Sequence, residues 1–212
     1  MKYLTLFLFI GLSASMMTSC QNAPKGEKAV TEAAKKIIEP SGVSKAYQVD
    51  KGYSKVMWTG SKLAGTHTGT LDVSAGTVNV KAGKVTSGSF TIDMNSLTVT
   101  DLKAGEGKEK LEGHLKNEDF FDVAKNPLSR FAITNVNSGK VTGNLTLNGV
   151  TKSISFPATI DITDKGVTVS TNDFTINRTD FGIKYGSSTF VDGLKDKAIN
   201  DMVGLKIQFR AS

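Results

Sequence analysis

Side chains able to carry chemistry are few and scattered in this 212-residue chain, which has one cysteine, two histidines and one tryptophan. Cys20 has no second cysteine to pair with, so no intramolecular disulfide can form. It ends a stretch of small residues behind an apolar run, and the chemistry to expect of such a thiol is acylation. His67 and His114 stand outside any HExxH pattern, and no second thiol exists to build a thiolate metal site, so no metal and no catalytic cofactor are expected. His67 lies between Thr66 and Thr68 in a glycine-flanked stretch, where a hydrogen bond at a barrel mouth and an exposed structural role are both open. His114 follows Glu109 and Glu112 on a helical stretch, as a weak metal or headgroup donor or as a packing residue at the helix end. Gly105-Glu106-Gly107-Lys108 fails as a phosphate loop, because Leu102 stands where the first glycine belongs and Glu109 where Ser or Thr belongs. There is no GxSxG elbow and no acid and base paired around a nucleophile, so an enzyme is not expected; a weak alternative would use His67 or His114.

The first residues explain the lone thiol. Lys2, an apolar run from Tyr3 to Leu12 and small residues from Ser13 to Ser19 make a three-part signal peptide. The apolar run is about ten residues, short of the roughly 20 needed to span a hydrocarbon core. Met17-Thr18-Ser19-Cys20 resembles the lipobox of bacterial lipoproteins, with Met where Leu is usual. Residues 1–19 are therefore expected to be removed and Cys20 to carry lipid. One acyl chain binds a membrane only reversibly, whereas two hold at roughly 0.8 kcal/mol per buried CH₂. Palmitate-type chains on Cys20 are expected to anchor the protein in the cell envelope. Gln21, where aspartate is associated with inner-membrane retention in enteric bacteria, directs the expectation to the outer membrane, facing the periplasm, with exposure at the cell surface also open. Removal of residues 1–19 deletes one cation, Lys2, from 26 basic against 20 acidic residues, leaving +5. The charge is spread without a cluster of five or more, which does not suggest nucleic acid. A homodimer is neither required nor excluded by the sequence.

Residues 20–45 are polar and contain Pro24, Gly26, Pro40 and Gly42, which reads as the lipidated N-terminus and a flexible linker. Within them, Val30, Ala33, Ala34, Ile37 and Ile38 approach helical spacing, predicting a short helix over Val30 to Glu39. From Tyr47 the pattern turns to period-two alternation: Val56, Trp58 and Gly60; Leu71 and Val73; Val78 and Val80, each run ending in glycine-bearing turns. The parity changes between Val85 and Phe90, Ile92 and Met94, which predicts a bulge at Gly88. Lys108 to Asn117 reads as a short helix. Alternating runs follow at Arg130 to Val136, Val141 to Leu147, Ile154 to Ile162, Val167 to Ile176 and Val203 to Phe209, with Asn148-Gly149 as a hairpin turn. The fold class expected is all-β, an antiparallel eight-stranded lipocalin-like barrel over residues 46–212 with a short helix near one end. An interior of that width can hold one small ligand.

Several segments together resemble the YceI family of polyisoprenoid-binding, YceI-like domains, over about residues 46 to 211. They are His114-Leu115-Lys116-Asn117-Glu118-Asp119-Phe120-Phe121-Asp122 with Ala124-Lys125-Asn126-Pro127, and Gly143 to Lys152. Tyr47-Gln48-Val49-Asp50, Phe174-Thr175-Ile176 and Phe181-Gly182-Ile183-Lys184 support them. The resemblance implies a lipocalin-like barrel around an apolar tunnel that holds an isoprenoid chain. The partner expected is thus an amphiphilic lipid, an isoprenoid, a quinone or similar, bound without covalent chemistry by a carrier or reservoir. Trp58, His67, Phe90, His114, Phe156 and Phe174 are the candidate lining residues, with Arg178 and Lys184 facing an anionic head. The competing reading is an interaction module, in which the barrel displays the loop from Arg178 to Asp201 to a partner.

Overall fold

The computed structural model describes residues 23–37 and 42–212; the expected signal peptide and Cys20 lie outside them. Alternation gives strands where it was expected, but in longer pieces. After β1 (Glu27–Lys28), β2 (Val30–Ala33) and β3 (Lys45–Gln48) come β4 (Lys55–Lys62), β5 (Gly65–Lys81) and β6 (Lys84–Val99). The 17-residue β5 runs straight through Gly76, which the sequence reading took as a turn. Gly76 faces Phe90 across the ladder, and a Cβ there would lie 2.7 Å from the Phe90 ring. The glycine makes room for an aromatic and does not turn the chain.

The parity changes are real but sit elsewhere than Gly88. Asn79 pairs Ser87 while Val80 pairs Val85, so Thr86 is the extra residue on β6. On β5, Val73 pairs Ile92 and Ala75 pairs Thr91, so Ser74 is extra. Each bulge swaps the face presented by the residues beyond it, which keeps Leu71 and Val73 on one side of Ser74, and Val78 and Val80 on the other, directed inward.

The helix α1 (Lys108–Lys116) follows, closed by Asn117, whose backbone N–H donates to the His114 carbonyl. Next come β7 (Leu128–Asn137), β8 (Lys140–Leu147), β9 (Val150–Pro157), β10 (Thr159–Thr163), β11 (Gly166–Ser170), β12 (Phe174–Asn177) and β13 (Met202–Ala211). Asn148 and Gly149 both take positive φ, 49° and 74°, as the tight β8–β9 hairpin requires. All pairings between these strands are antiparallel except that of β1 with β12.

The ring order is β1-β12-β13-β4-β5-β6-β7-β8-β9-β2, ten strands against the eight expected. Its two ends are consecutive pieces of one segment joined through Ala29, so the ring closes on the chain itself. Near Ala158 the chain leaves β9 for β10, which pairs β11 and through it β13. That corner separates β9 from β12 and leaves both with a free edge. Glu27–Lys28 pair one edge and Val30–Ala33 the other, with the Ala29 N–H donating to Thr175 at 2.8 Å. Most of the segment's side chains are exposed and Ala29 is buried in the core. Of the helix expected over Val30 to Glu39, Val30–Ala33 is a strand, residues 34–37 are not helical and residues 38 and 39 lie outside the described residues; residues 27–33 are barrel wall in place of linker. Backbone pairing to two open edges outweighs a weak helical spacing.

One end of the barrel is filled. Tyr47, Val78, Val80, Val167, Phe209 and Ala211 form a buried cluster beside the turns at 81–84 and 163–166. The Tyr47 hydroxyl donates to the Thr163 carbonyl there. The opposite end carries the β4–β5 turn, α1 and the long segment 178–201, where the cavity opens.

Candidate functional site

Inward side chains of β4 to β9 and of β13 enclose a cavity of about 640 Å³. Its wall is aliphatic and aromatic: Val56, Leu71, Ile92, Ile133, Leu145 and Ile154 contribute from successive strands, with Phe90, Phe131 and Phe156 among them. That size and lining fall in the ordinary range for a small-molecule site, about 300–1,000 Å³. Phe156 stacks on Phe174 at 4.5 Å between ring centroids, nearly parallel, and Phe90 meets Phe209 edge-on at 4.6 Å. These contacts fix the rings, each pair contributing about 0.5–1.5 kcal/mol beyond area burial.

Trp58 also lines the cavity, and Gly69 explains its pose. A Cβ at Gly69 would stand 1.9 Å from the Thr98 carbonyl and 2.4 Å from the indole, so glycine alone lets the ring lie on β5. The indole N–H is buried and finds no acceptor among the described residues.

The open end is built by three elements. Gly60 to Lys62, Ala64 and Gly65 come from the end of the β4–β5 hairpin, Leu111, His114 and Leu115 from α1, and Tyr185, Lys197, Ile199 and Asn200 from segment 178–201. Leu111 and Leu115, four apart on one helical face, signal this role in the sequence; the loop residues carry no such pattern. His67 lines the rim with Nδ1 2.8 Å from Asp101 Oδ2, while Asp101 Oδ1 accepts the Thr68 N–H at 2.8 Å. Burial would raise the Asp101 carboxyl, but the Thr68 amide and His67 outweigh it and hold it below the usual carboxylate range. His114 packs edge-on against Tyr185 at 4.8 Å and Phe120 at 5.3 Å, tying helix to loop.

Helix α1 is clamped to the wall by Glu112. Its Oε1 accepts the Val99 N–H at 2.8 Å and the Thr98 hydroxyl at 2.9 Å. The Val99 bond, more than any other influence, holds this carboxyl below its ordinary value. A folded pKa depressed relative to the unfolded chain means stability that is present above the unfolded value and lost as pH falls through the folded one. Glu112→Gln is expected to cost about 1 kcal/mol at neutral pH. It should also flatten part of the acid limb of a pH series of denaturant unfolding. An acid limb identical to that of the parent chain would refute the clamp.

Two of the sequence-based candidates need correction. Arg178 does line the cavity, yet it is 3% exposed and donates all five of its N–H groups inside the protein. Nε reaches Asn200 O, Nη1 reaches Ile183 O and Tyr185 O, and Nη2 reaches Ile199 O and Asp201 Oδ1, all at 2.8–3.2 Å. No donor is left for a headgroup. Burial draws the guanidinium below its ordinary range while Asp201 acts in the opposite direction. Lys184 lies outside the cavity wall, its Nζ over the Phe190 ring at 4.5 Å. Trp58, His67, Phe90, His114, Phe156 and Phe174 share the cavity. Among the described residues no three His, Cys, Asp or Glu side chains are grouped to hold a metal ion.

The YceI-like domain matches residues 47–211. The chain belongs to that family. A UPF0312 protein of Pseudomonas aeruginosa (strain LESB58) is 37% identical over 82 residues, covering 34% of this chain and 43% of the relative. One from Pseudomonas putida (strain W619) is 37% identical over 105 residues, covering 40% of this chain and 53% of the relative. The YceI-like chain thus spans about half the length of these relatives or less. In fold it is similar to BcnA of Burkholderia cenocepacia, at a TM-score of 0.59 and 22% identity, covering 77% of this chain and 99% of that one. It is also similar to a polyisoprenoid binding domain from Saccharophagus degradans implicated in plant cell wall breakdown, at 0.56 and 16%, covering 78% and 97%. The family match begins at residue 47, so the segment that closes the ring precedes it.

Proposed function

We propose that this YceI-like protein is a lipid-anchored carrier or reservoir that holds an isoprenoid, quinone or similar amphiphile in its barrel and works by binding without covalent chemistry. The observation that carries the reading is the apolar cavity of about 640 Å³, open at one end, with its polar groups gathered at that end. Burying hydrocarbon there is worth roughly 0.8 kcal/mol per CH₂, which is gross driving force enough for a long prenyl or acyl tail. Ordering the tail takes part of it back. A head would lie near His67, His114, Lys197 and Asn200 at the rim. That a polyisoprenoid binding domain has the same fold is in keeping with an isoprenoid tail. Anchoring through Cys20, at the outer membrane facing the periplasm, completes the proposal.

Filling the cavity tests it. Ile133→Trp with Leu145→Trp, on neighbouring strands, places two indoles where the tail would run and is expected to cost about 1–3 kcal/mol in stability through overpacking. Lipid extracted into organic solvent from the purified parent chain should be detectable by mass spectrometry and fall to near zero in the folded double variant. A parent chain that carries no extractable lipid, or a double variant that carries as much as the parent, would sink the reading.

A further inference from the structure

We infer that the open end of the barrel is itself a membrane-docking face, which seats rim-first on a phospholipid surface bearing anionic headgroups. The inference rests on the lipid-binding reading, because it concerns how that cavity meets its source. Leu63, Phe190 and Val191 are 71%, 49% and 47% exposed, a surplus of apolar surface that a solvated loop does not need. They belong to one rim. Lys62 bridges Ile199, the Ile199 N–H donates to Gly186, and the Phe190 and Val191 N–H groups both donate to Ser187. These bonds join the β4–β5 turn to the loop beside the cavity opening.

Charge on the side of the rim that carries these apolar tips has the sign that a membrane with anionic lipid selects, whereas the helix side, residues 101–119, carries Lys103, Lys108, Lys110 and Lys116 against Asp101, Glu106, Glu109, Glu112, Glu118 and Asp119. Residues 62–64 and 184–197 carry Lys62, Lys184, Lys195 and Lys197 against Asp192 and Asp196, all exposed. Apolar tips among lysines can enter the interfacial layer while the ammonium groups stay with the phosphates. The chain outside the described residues supplies a second, independent argument. Ala23 and Pro24 lie on the outer wall with Met57, Thr59, Thr66 and Gly204, close below the β4–β5 turn. Cys20 is three residues before Ala23, and three extended residues reach at most about 10 Å. An acyl group there would hold this side of the barrel, and with it the β4–β5 end of the rim, at the surface.

The test uses the chain from Gln21 to Ser212, which contains every described residue and no acyl group, in vesicle sedimentation with phosphatidylcholine alone or mixed with phosphatidylglycerol. Binding is expected to the mixed vesicles and to weaken as salt is added. Leu63→Ser, Phe190→Ser and Val191→Ser together are expected to weaken it roughly tenfold or more. Extractable lipid is measured on the same preparations. Loss of vesicle binding with lipid content retained supports docking, and so does rim-dependent binding by a chain that carries no lipid, although that result would sink the carrier reading. Binding that ignores the triple variant overturns the proposal. So does a dimer that the triple variant abolishes in a chain that does not bind vesicles.

Discussion

Replacing Arg178 by lysine is expected to destabilise the protein by about 3–5 kcal/mol, although the charge is kept. Four backbone carbonyls and Asp201 converge on the guanidinium from residues 183 to 201. An ammonium offers three donors and no planar fork, so at least two of those acceptors would be left buried without a partner. The loss should be local before it is global. Hydrogen exchange at Ile183, Ile199 and Asn200 should quicken more than that of the β7–β8 ladder, and bound lipid should leave faster, because Tyr185 and Ile199 are wall. Unchanged protection at those amides would show that the loop is held by something else.

Ala29→Asp is expected to release the segment that closes the ring. Ala29 is buried among core side chains, and a carboxylate there has no partner, a penalty of several kcal/mol that the chain escapes by peeling residues 27–33 from the wall. Amides at 152–155 and 174–175 would then lose protection together. The bared edges of β9 and β12 would favour self-association at high protein concentration, as unpaired edges do. Val30→Asp, at a neighbouring exposed position, serves as the control and should change neither. Protection at residues 152–155 that survives Ala29→Asp would mean that β9 does not depend on this strand.

The local patterns that could be read from sequence were those in which one face meets a core. Val141 to Leu147, Asn148-Gly149 and Ile154 to Phe156 formed a hairpin as expected, because alternation and turn chemistry are local properties. So did the helix after Gly107, with Leu111 and Leu115 directed at the cavity. The closing strand was illegible because its cause lies about 120 to 150 residues away, in two edges left open by the corner near Ala158. Arg178 was misread for a related reason. Carbonyls come from residues of any type, so a cradle of carbonyls leaves no trace in composition, and a loop arginine looks like a free charge. Lys184 was placed at the mouth by charge alone, while in the structure its ammonium lies over the Phe190 ring, outside the cavity wall. Gly76 looked like punctuation because the aromatic above it sits fourteen residues further on.

The filled end of the barrel sets the logic of traffic. With Tyr47, Val80 and Val167 packed beneath Phe209, the tunnel is a blind alley, and a guest that goes in tail first must come out head first by the same opening. Loading and unloading are then one event run in two directions. Net movement would follow the supply and demand of whatever surface the rim faces, and a bound guest would then work as a buffered stock and not as cargo threaded through the protein.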